Sequence, residues 1–283
     1  MRDTITSMNF THFLKNGKVL PLTDATISIE NIQFQYGFGV YESLRVRNGV
    51  IYFASQHAQR LMESARLIGL EHSYSSEQIE TFITDVVEKN GVESLNIKIL
   101  LIGGRTAEES LLFILPLAPL FPDRKLYSKG ATVETTQYRR FMPNAKTINM
   151  LPSYLAYTKA QKNGYYDALF VDEGMILEGT RTNFFAIKNS SLITPPKETV
   201  LDGVTRQAVM MIARKNGFTV REEKIPFDTL SDFDGAFLTS TSSKIIPLVQ
   251  IDDFRYKEIP SRLKELMKCF DTFLEDSKGI IPK

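Results

Sequence analysis

The sequence predicts a chain of two domains, each mixing β-strands with amphipathic helices. Three observations carry that expectation. Short apolar runs, several with period-two alternation, recur along the chain and are separated by Asn-Gly and Asp-Glu-Gly turns. Segments with apolar residues at helical spacing lie among them. The stretch 116–130, PLAPLFPDRKLYSKG, holds three prolines and neither period, as a linker would. A chain of 283 residues is long for one domain, and the boundary is expected near residue 122.

Composition removes several classes of function. Thirty-four Lys and Arg against 33 Asp and Glu leave a formal charge of +1, with no block of like charge to grip nucleic acid or an anionic membrane. One cysteine, Cys269, cannot form an internal disulfide, and with three scattered histidines it gives no basis for a protein-built zinc site. The first ten residues lack an apolar signal core and no later stretch is long enough to span a bilayer, so a soluble cytoplasmic protein is expected.

In chain order, Asn16-Gly17 between apolar runs predicts a hairpin over residues 10–30. Residues 33–47 follow as a strand in which Val40, Glu42, Leu44 and Val46 alternate with Tyr41, Ser43, Arg45 and Arg47. Its glycines suit a bulge or the close approach of a ligand or another backbone. Helices are expected over 56–70 and from Ser75-Ser76-Glu77 to Val87, then strands at 96–102 and 111–117. Past the linker come a strand at 131–138, a helix at 154–163, strands at 166–171 and 175–177, and a hairpin over 184–187 and 191–194. A helix at 204–215, a strand after Gly217, a last apolar strand at 236–240 and a terminal helix at 262–275 complete the series.

The stretch 177–210 holds the chemistry. Glu178 sits among Met175, Ile176, Leu177, Phe184 and Phe185, and a carboxylate carried into such surroundings requires a cationic partner. Further on, Leu201-Asp202-Gly203-Val204-Thr205-Arg206 turns from loop into helix, and free N–H groups at a helix start attract an anion. An acid for a protonated ring nitrogen and a helix start for a phosphate can serve one phosphorylated heterocycle. Lys146 adds an amine able to condense with an aldehyde such as that of pyridoxal phosphate. Phosphate donors are available from the amides of Val204 and Thr205, the hydroxyls of Thr205, Ser240 and Thr241, and Arg60, while Arg105 can meet a substrate carboxylate. Taken singly, each also suits an ordinary structural role, as a solvated lysine, a paired acid or a salt-bridged arginine.

Read together, Glu178-x-Thr180-x-x-Asn183-Phe184-Phe185, Leu192-x-Thr194 and Leu201-x-Gly203-Val204-x-Arg206 resemble the signature of the class IV pyridoxal-phosphate aminotransferases. That family includes branched-chain and D-amino acid aminotransferases and aminodeoxychorismate lyase. Ala145-Lys146-Thr147-Ile148-Asn149, Gly39-Val40-Tyr41-Glu42, His57-Ala58-Gln59-Arg60-Leu61 and Thr239-Ser240-Thr241-Ser242-Ser243 extend the likeness over essentially the whole chain. The resemblance implies that Lys146 is the Schiff-base lysine and proton shuttle, and that Glu178 meets the pyridine nitrogen. It implies that Arg60, Val204, Thr205 and Thr241 hold the phosphate and that Tyr41 lines the substrate side. The implied fold is α+β of type IV, with a small N-terminal α/β sandwich-type domain, 1–121, and a larger C-terminal β-rich pseudo-barrel domain, 122–283, carrying the lysine. Homodimers with the active site near the subunit interface are implied too.

Some positions depart from the pattern. Phe38 replaces the acid of a common Gly-Asp-Gly, Lys244 stands where a glutamate is usual, Arg105 is shifted from the place of a carboxylate-binding arginine, and Arg181 fills a place that is usually small. The expected reaction is transfer of an amino group between an amino acid and a 2-oxo acid. An aminodeoxychorismate-lyase-like β-elimination and a non-catalytic pyridoxal-phosphate binder are the rivals.

Overall fold

The computed structural model describes residues 10–119 and 121–276, which divide into two compact units: 10–119 with Ala145–Asn149, and Phe121–Asn144 with 150–276. The first unit is built on an antiparallel sheet of β1 (His12–Lys15), β2 (Lys18–Pro21), β3 (Gly39–Arg47), β4 (Val50–Ile51), β5 (Leu95–Ile102) and β6 (Leu111–Leu117). Their order is β2-β1-β6-β5-β3-β4. Asn16 and Gly17 take φ of 49° and 78°, the left-handed pair a primed hairpin turn needs. The strand expected from residue 33 starts later, because Asn31 Oδ1 accepts from Phe34 N at 2.7 Å and caps a helical turn, α1 (Ile32–Gln35).

Two helices, α2 (Ala54–Leu67) and α3 (Ser76–Asn90), cover one face of this sheet. Leu61, Ala65, Ile79, Ile83 and Val86 pack on Leu44, Val46, Ile97 and Ile99. Ser75 and Gln78 form a reciprocal capping box at the start of α3, and Gly91 ends it at φ 60°.

The lysine segment, expected on the C-terminal domain, groups by its packing with the first unit instead. Ile148 N donates to Gly39 O at 3.0 Å and Tyr41 N to Lys146 O at 2.9 Å, so residues 145–149 lie along β3. Gly39 permits the approach: a Cβ there would stand 2.9 Å from Leu101 O and 3.0 Å from Ile148 Cδ1.

The second unit holds α4 (Lys125–Lys129), β7 (Ala131–Gln137), α5 (Leu151–Lys162), β8 (Asp167–Asp172), β9 (Met175–Gly179), β10 (Asn183–Lys188), β11 (Ser191–Thr194) and α6 (Val204–Lys215). It continues with β12 (Thr219–Glu222), β13 (Ile225–Pro226), β14 (Gly235–Ser240), β15 (Lys244–Ile251), β16 (Phe254–Arg255) and α7 (Ser261–Asp276). The path β10-β14-β15-β7-β8-β9 closes on itself because β9 also pairs with β10, giving the barrel-like sheet of a two-domain α+β fold. Val133, Leu169, Phe184, Leu238 and Ile246 belong to its buried core.

The run 236–240 is not the last strand. Pro247 breaks the sequence pattern of β15, yet it lies opposite Phe237 in the ladder, next to a register irregularity between Leu248 and Gln250 on the β7 side that absorbs the missing donor. No helix among the described residues is long and apolar enough to cross a membrane.

Candidate functional site

In the first unit, Lys146 is held by its backbone. Its amide donates to Ser64 Oγ of α2 at 3.1 Å and its carbonyl accepts from Tyr41, leaving the side chain to project with Nζ 4.5 Å from the centroid of the Tyr41 ring. Lys98 Nζ, from β5, lies 3.5 Å from the same centroid.

Tyr41 and Glu42 point to opposite faces of β3, as period two requires. Glu42 is fully buried and accepts from Arg60 Nε at 2.6 Å, Arg60 Nη2 at 2.9 Å and His57 Nδ1 at 2.7 Å. Burial alone would raise its pKa, but Arg60 and His57 outweigh that and hold the carboxyl well below the usual range. His57 is pushed down by burial. With Glu42 ionised, Nδ1 carries the ring proton, and Nε2 is buried with no partner, as a neutral ring allows. Arg60, expected as a phosphate ligand, thus spends its Nε–Nη2 edge on Glu42.

In the second unit, Glu178 is the penultimate residue of β9, at 4 % exposure. The cation it requires is Arg140, whose Nε and Nη2 donate to Oε1 at 2.8 and 2.5 Å, while Leu201 N donates to Oε2 at 3.2 Å. Sequence reasoning missed Arg140, since nothing in a separation of 38 residues pairs it with Glu178; the demand of a buried acid was the only signal.

The turn from β9 to β10 is knit by Asp167, which accepts from Thr180 Oγ1 at 2.6 Å and Thr182 Oγ1 at 3.2 Å. Asn183 Nδ2 donates to Leu201 O at 2.7 Å, tying β10 to the loop that delivers α6. That helix opens at Gly203, which offers no side-chain cap to the amides of Val204 and Thr205. A Cβ at Gly203 would sit 2.1 Å from Asn183 Oδ1, so a glycine is required there. Arg206 has a structural role: it is 1 % exposed and bridges Asp202 at 2.8 Å and Glu222 at 2.7 Å.

Other expected residues are less committed. Ser240 Oγ meets Ser243 Oγ at 2.6 Å and accepts from Ser243 N at 3.1 Å, which uses it within its own turn, while Thr241 is partly exposed. Arg105 is exposed in the β5–β6 loop, and its backbone amide donates to Glu109 Oε2 at 3.0 Å. Lys244 takes φ of 58° and reaches Asp271 at 2.6 Å. Arg181, at the β9–β10 tip, lays its guanidinium 4.3 Å from the Tyr157 centroid beside a cavity of about 130 Å³ also lined by Met150, Ser153, Tyr154 and Thr180.

Taken one by one, these groups suit the parts of a phosphorylated pyridine aldehyde. Oε2 of Glu178 retains acceptor capacity for a ring N–H, the uncapped start of α6 suits a phosphate, and Lys146 supplies an amine. Comparison with known proteins agrees. The model of the family described as amino-transferase class IV matches residues 39–251. A probable branched-chain-amino-acid aminotransferase of Rickettsia conorii is 30% identical over 273 residues, covering 90% of this chain and 94% of the relative. A D-alanine aminotransferase of Bacillus licheniformis is 26% identical over 250 residues, covering 84% and 88%. Among solved structures, a branched-chain amino acid aminotransferase from T.th. with pyridoxamine 5'-phosphate superimposes with a TM-score of 0.87 at 25% identity, covering 96% of this chain and 95% of that one.

Proposed function

We propose how a chain that belongs to the class IV aminotransferase family, and is a pyridoxal-phosphate-dependent aminotransferase acting on an amino acid and a 2-oxo acid, divides its chemistry among its residues. When bound, pyridoxal phosphate supplies the aldehyde through which the amino group is exchanged and a protonated ring that takes up electrons as a bond at the substrate α-carbon breaks. Lys146 Nζ would hold that aldehyde and, as a neutral amine, would move the proton at the substrate α-carbon. The observation that carries this reading is the fixing of the Lys146 backbone by Ser64, Tyr41 and, through Ile148, Gly39.

Glu178 Oε2 would hold the ring nitrogen and keep a proton on it, with Arg140 balancing the carboxylate from the other oxygen. Val204 and Thr205 would hold the phosphate through the open amides of α6, and the hydroxyls of Thr205 and Thr241 and the guanidinium of Arg60 would be further donors to it. Tyr41 lines the substrate side. Ser240 is left out because its hydroxyl serves its own turn, and Arg105 because its guanidinium stands in solvent.

The enzyme works in the cytoplasm as a homodimer with its site close to the subunit interface. What supports a dimer is exposed apolar surface: Ile29 and Tyr36 are 86% and 81% exposed, and Leu151, Tyr154 and Leu155 stand out from α5. Light scattering on the purified protein gives the mass, and a monomer would remove that part of the reading. Lys146→Ala should abolish both the visible absorbance of bound cofactor and amino transfer; a variant that transfers amino groups at the parent rate would overturn the assignment.

A further inference from the structure

Two amine nitrogens lie by the ring of Tyr41, Lys98 at 3.5 Å and Lys146 at 4.5 Å from its centroid. Laid end to end, those distances place the two nitrogens no more than 8.0 Å apart. Lys98 alternates along β5 with the buried Ile97 and Ile99, so it projects from the face opposite α2 and α3. Among the described residues it makes no ion pair with any carboxylate. Among the described residues Glu42 is the carboxylate whose field reaches it, and that carboxylate is engaged by Arg60 and His57. A half-buried cation thus rests on an aromatic face, beside the amine on which the proposed chemistry depends.

A like charge disfavours the protonated form of a neighbour, and the effect is mutual. Burial pulls the Lys98 amine down to about 8, the charge of Lys146 pulls the same way, and Tyr41 and Glu42 oppose them. By the same reciprocity, the charge of Lys98 acts on the amine of Lys146.

We propose that Lys98 is a positioning residue for the amine chemistry: its charge, seated on the Tyr41 ring, keeps Lys146 neutral and nucleophilic at neutral pH. The inference rests on the reading of Lys146 as the covalent lysine. Through a partly buried medium, a unit charge at this range shifts a neighbouring amine or imine by about one pH unit. The help fades as pH rises through about 8 and Lys98 itself loses its proton.

The test uses the full chain loaded with pyridoxal phosphate, with the visible band of the bound cofactor titrated against pH in the parent, Lys98→Met and Lys98→Arg. The midpoint should rise by about one pH unit in Lys98→Met and stay near the parent value in Lys98→Arg. Capture of cofactor by the apo-protein at pH 7 should slow about tenfold in Lys98→Met and recover as the pH is raised. If Lys98→Met does not fold, Lys98→Gln removes the same charge and carries the same expectations. An unshifted midpoint with an unchanged capture rate overturns the role of Lys98. A visible band persisting in Lys146→Ala overturns the reading beneath it, a separate result.

Discussion

Replacing Arg140 by Met would leave the Glu178 carboxylate in place with Leu201 N as its one remaining donor among the described residues. Both Arg140 hydrogen bonds go to Oε1, and the side chains of the pair are 16% and 6% exposed. Removing one partner of a buried ion pair costs about 3–5 kcal/mol, because the other charge stays behind desolvated. The exposure of Arg140 lets some water reach the site, so the low end, about 3 kcal/mol, is expected. In a chain of this size each kcal/mol moves Tm by about 2–4 °C, so the melting temperature should fall by about 6–12 °C.

Thermal and urea unfolding of the apo-protein would measure it, since bound cofactor adds its own stabilisation. Arg140→Met combined with Glu178→Gln should recover most of the loss, because the stranded charge has gone. A single-variant loss below about 1 kcal/mol, or a double variant no better than the single, would refute the reasoning.

Glu42→Gln strands Arg60 in the same way and should cost about 3–5 kcal/mol in urea unfolding. The carboxyl of Glu42 titrates below its unfolded value of about 4.3, so its contribution is complete above that pH and is lost as pH falls further. Acid unfolding of the parent should therefore be steeper below about pH 4.5 than that of Glu42→Gln, and equal slopes would contradict this. Gly203→Ala drives a Cβ to 2.1 Å from Asn183 Oδ1, and a destabilisation of about 1–3 kcal/mol with faster cofactor loss on dialysis is expected. Gly39→Ala presses on Leu101 O and Ile148, which should loosen the Lys146 segment and slow cofactor capture by the apo-protein more than it lowers Tm.

What the sequence made legible was local. Asn-Gly turns, the Ser75 cap, the Gly203 helix start and the apolar surroundings of Glu178 are each written within a few residues. Gly39 suggested a close approach before anything showed that the approaching backbone was that of Lys146. The pairings across 38 and 18 residues, Arg140 with Glu178 and Arg60 with Glu42, were not legible, because an ion pair leaves no periodic trace. Lys98 was passed over for a related reason: in β5 it reads as the outward partner of alternating isoleucines, and only the neighbouring strand reveals that its outward face meets Tyr41. The grouping of 145–149 with the first unit escaped too, since a linker at 116–130 says where the chain leaves a domain and not where a later segment rejoins it.

Borohydride reduction of the loaded protein followed by peptide mass mapping tests the central claim most directly. A single phosphopyridoxyl adduct on Lys146 is the predicted result. An adduct on Lys98 instead, the other amine on the Tyr41 ring, or a protein that yields none after loading, would contradict the account.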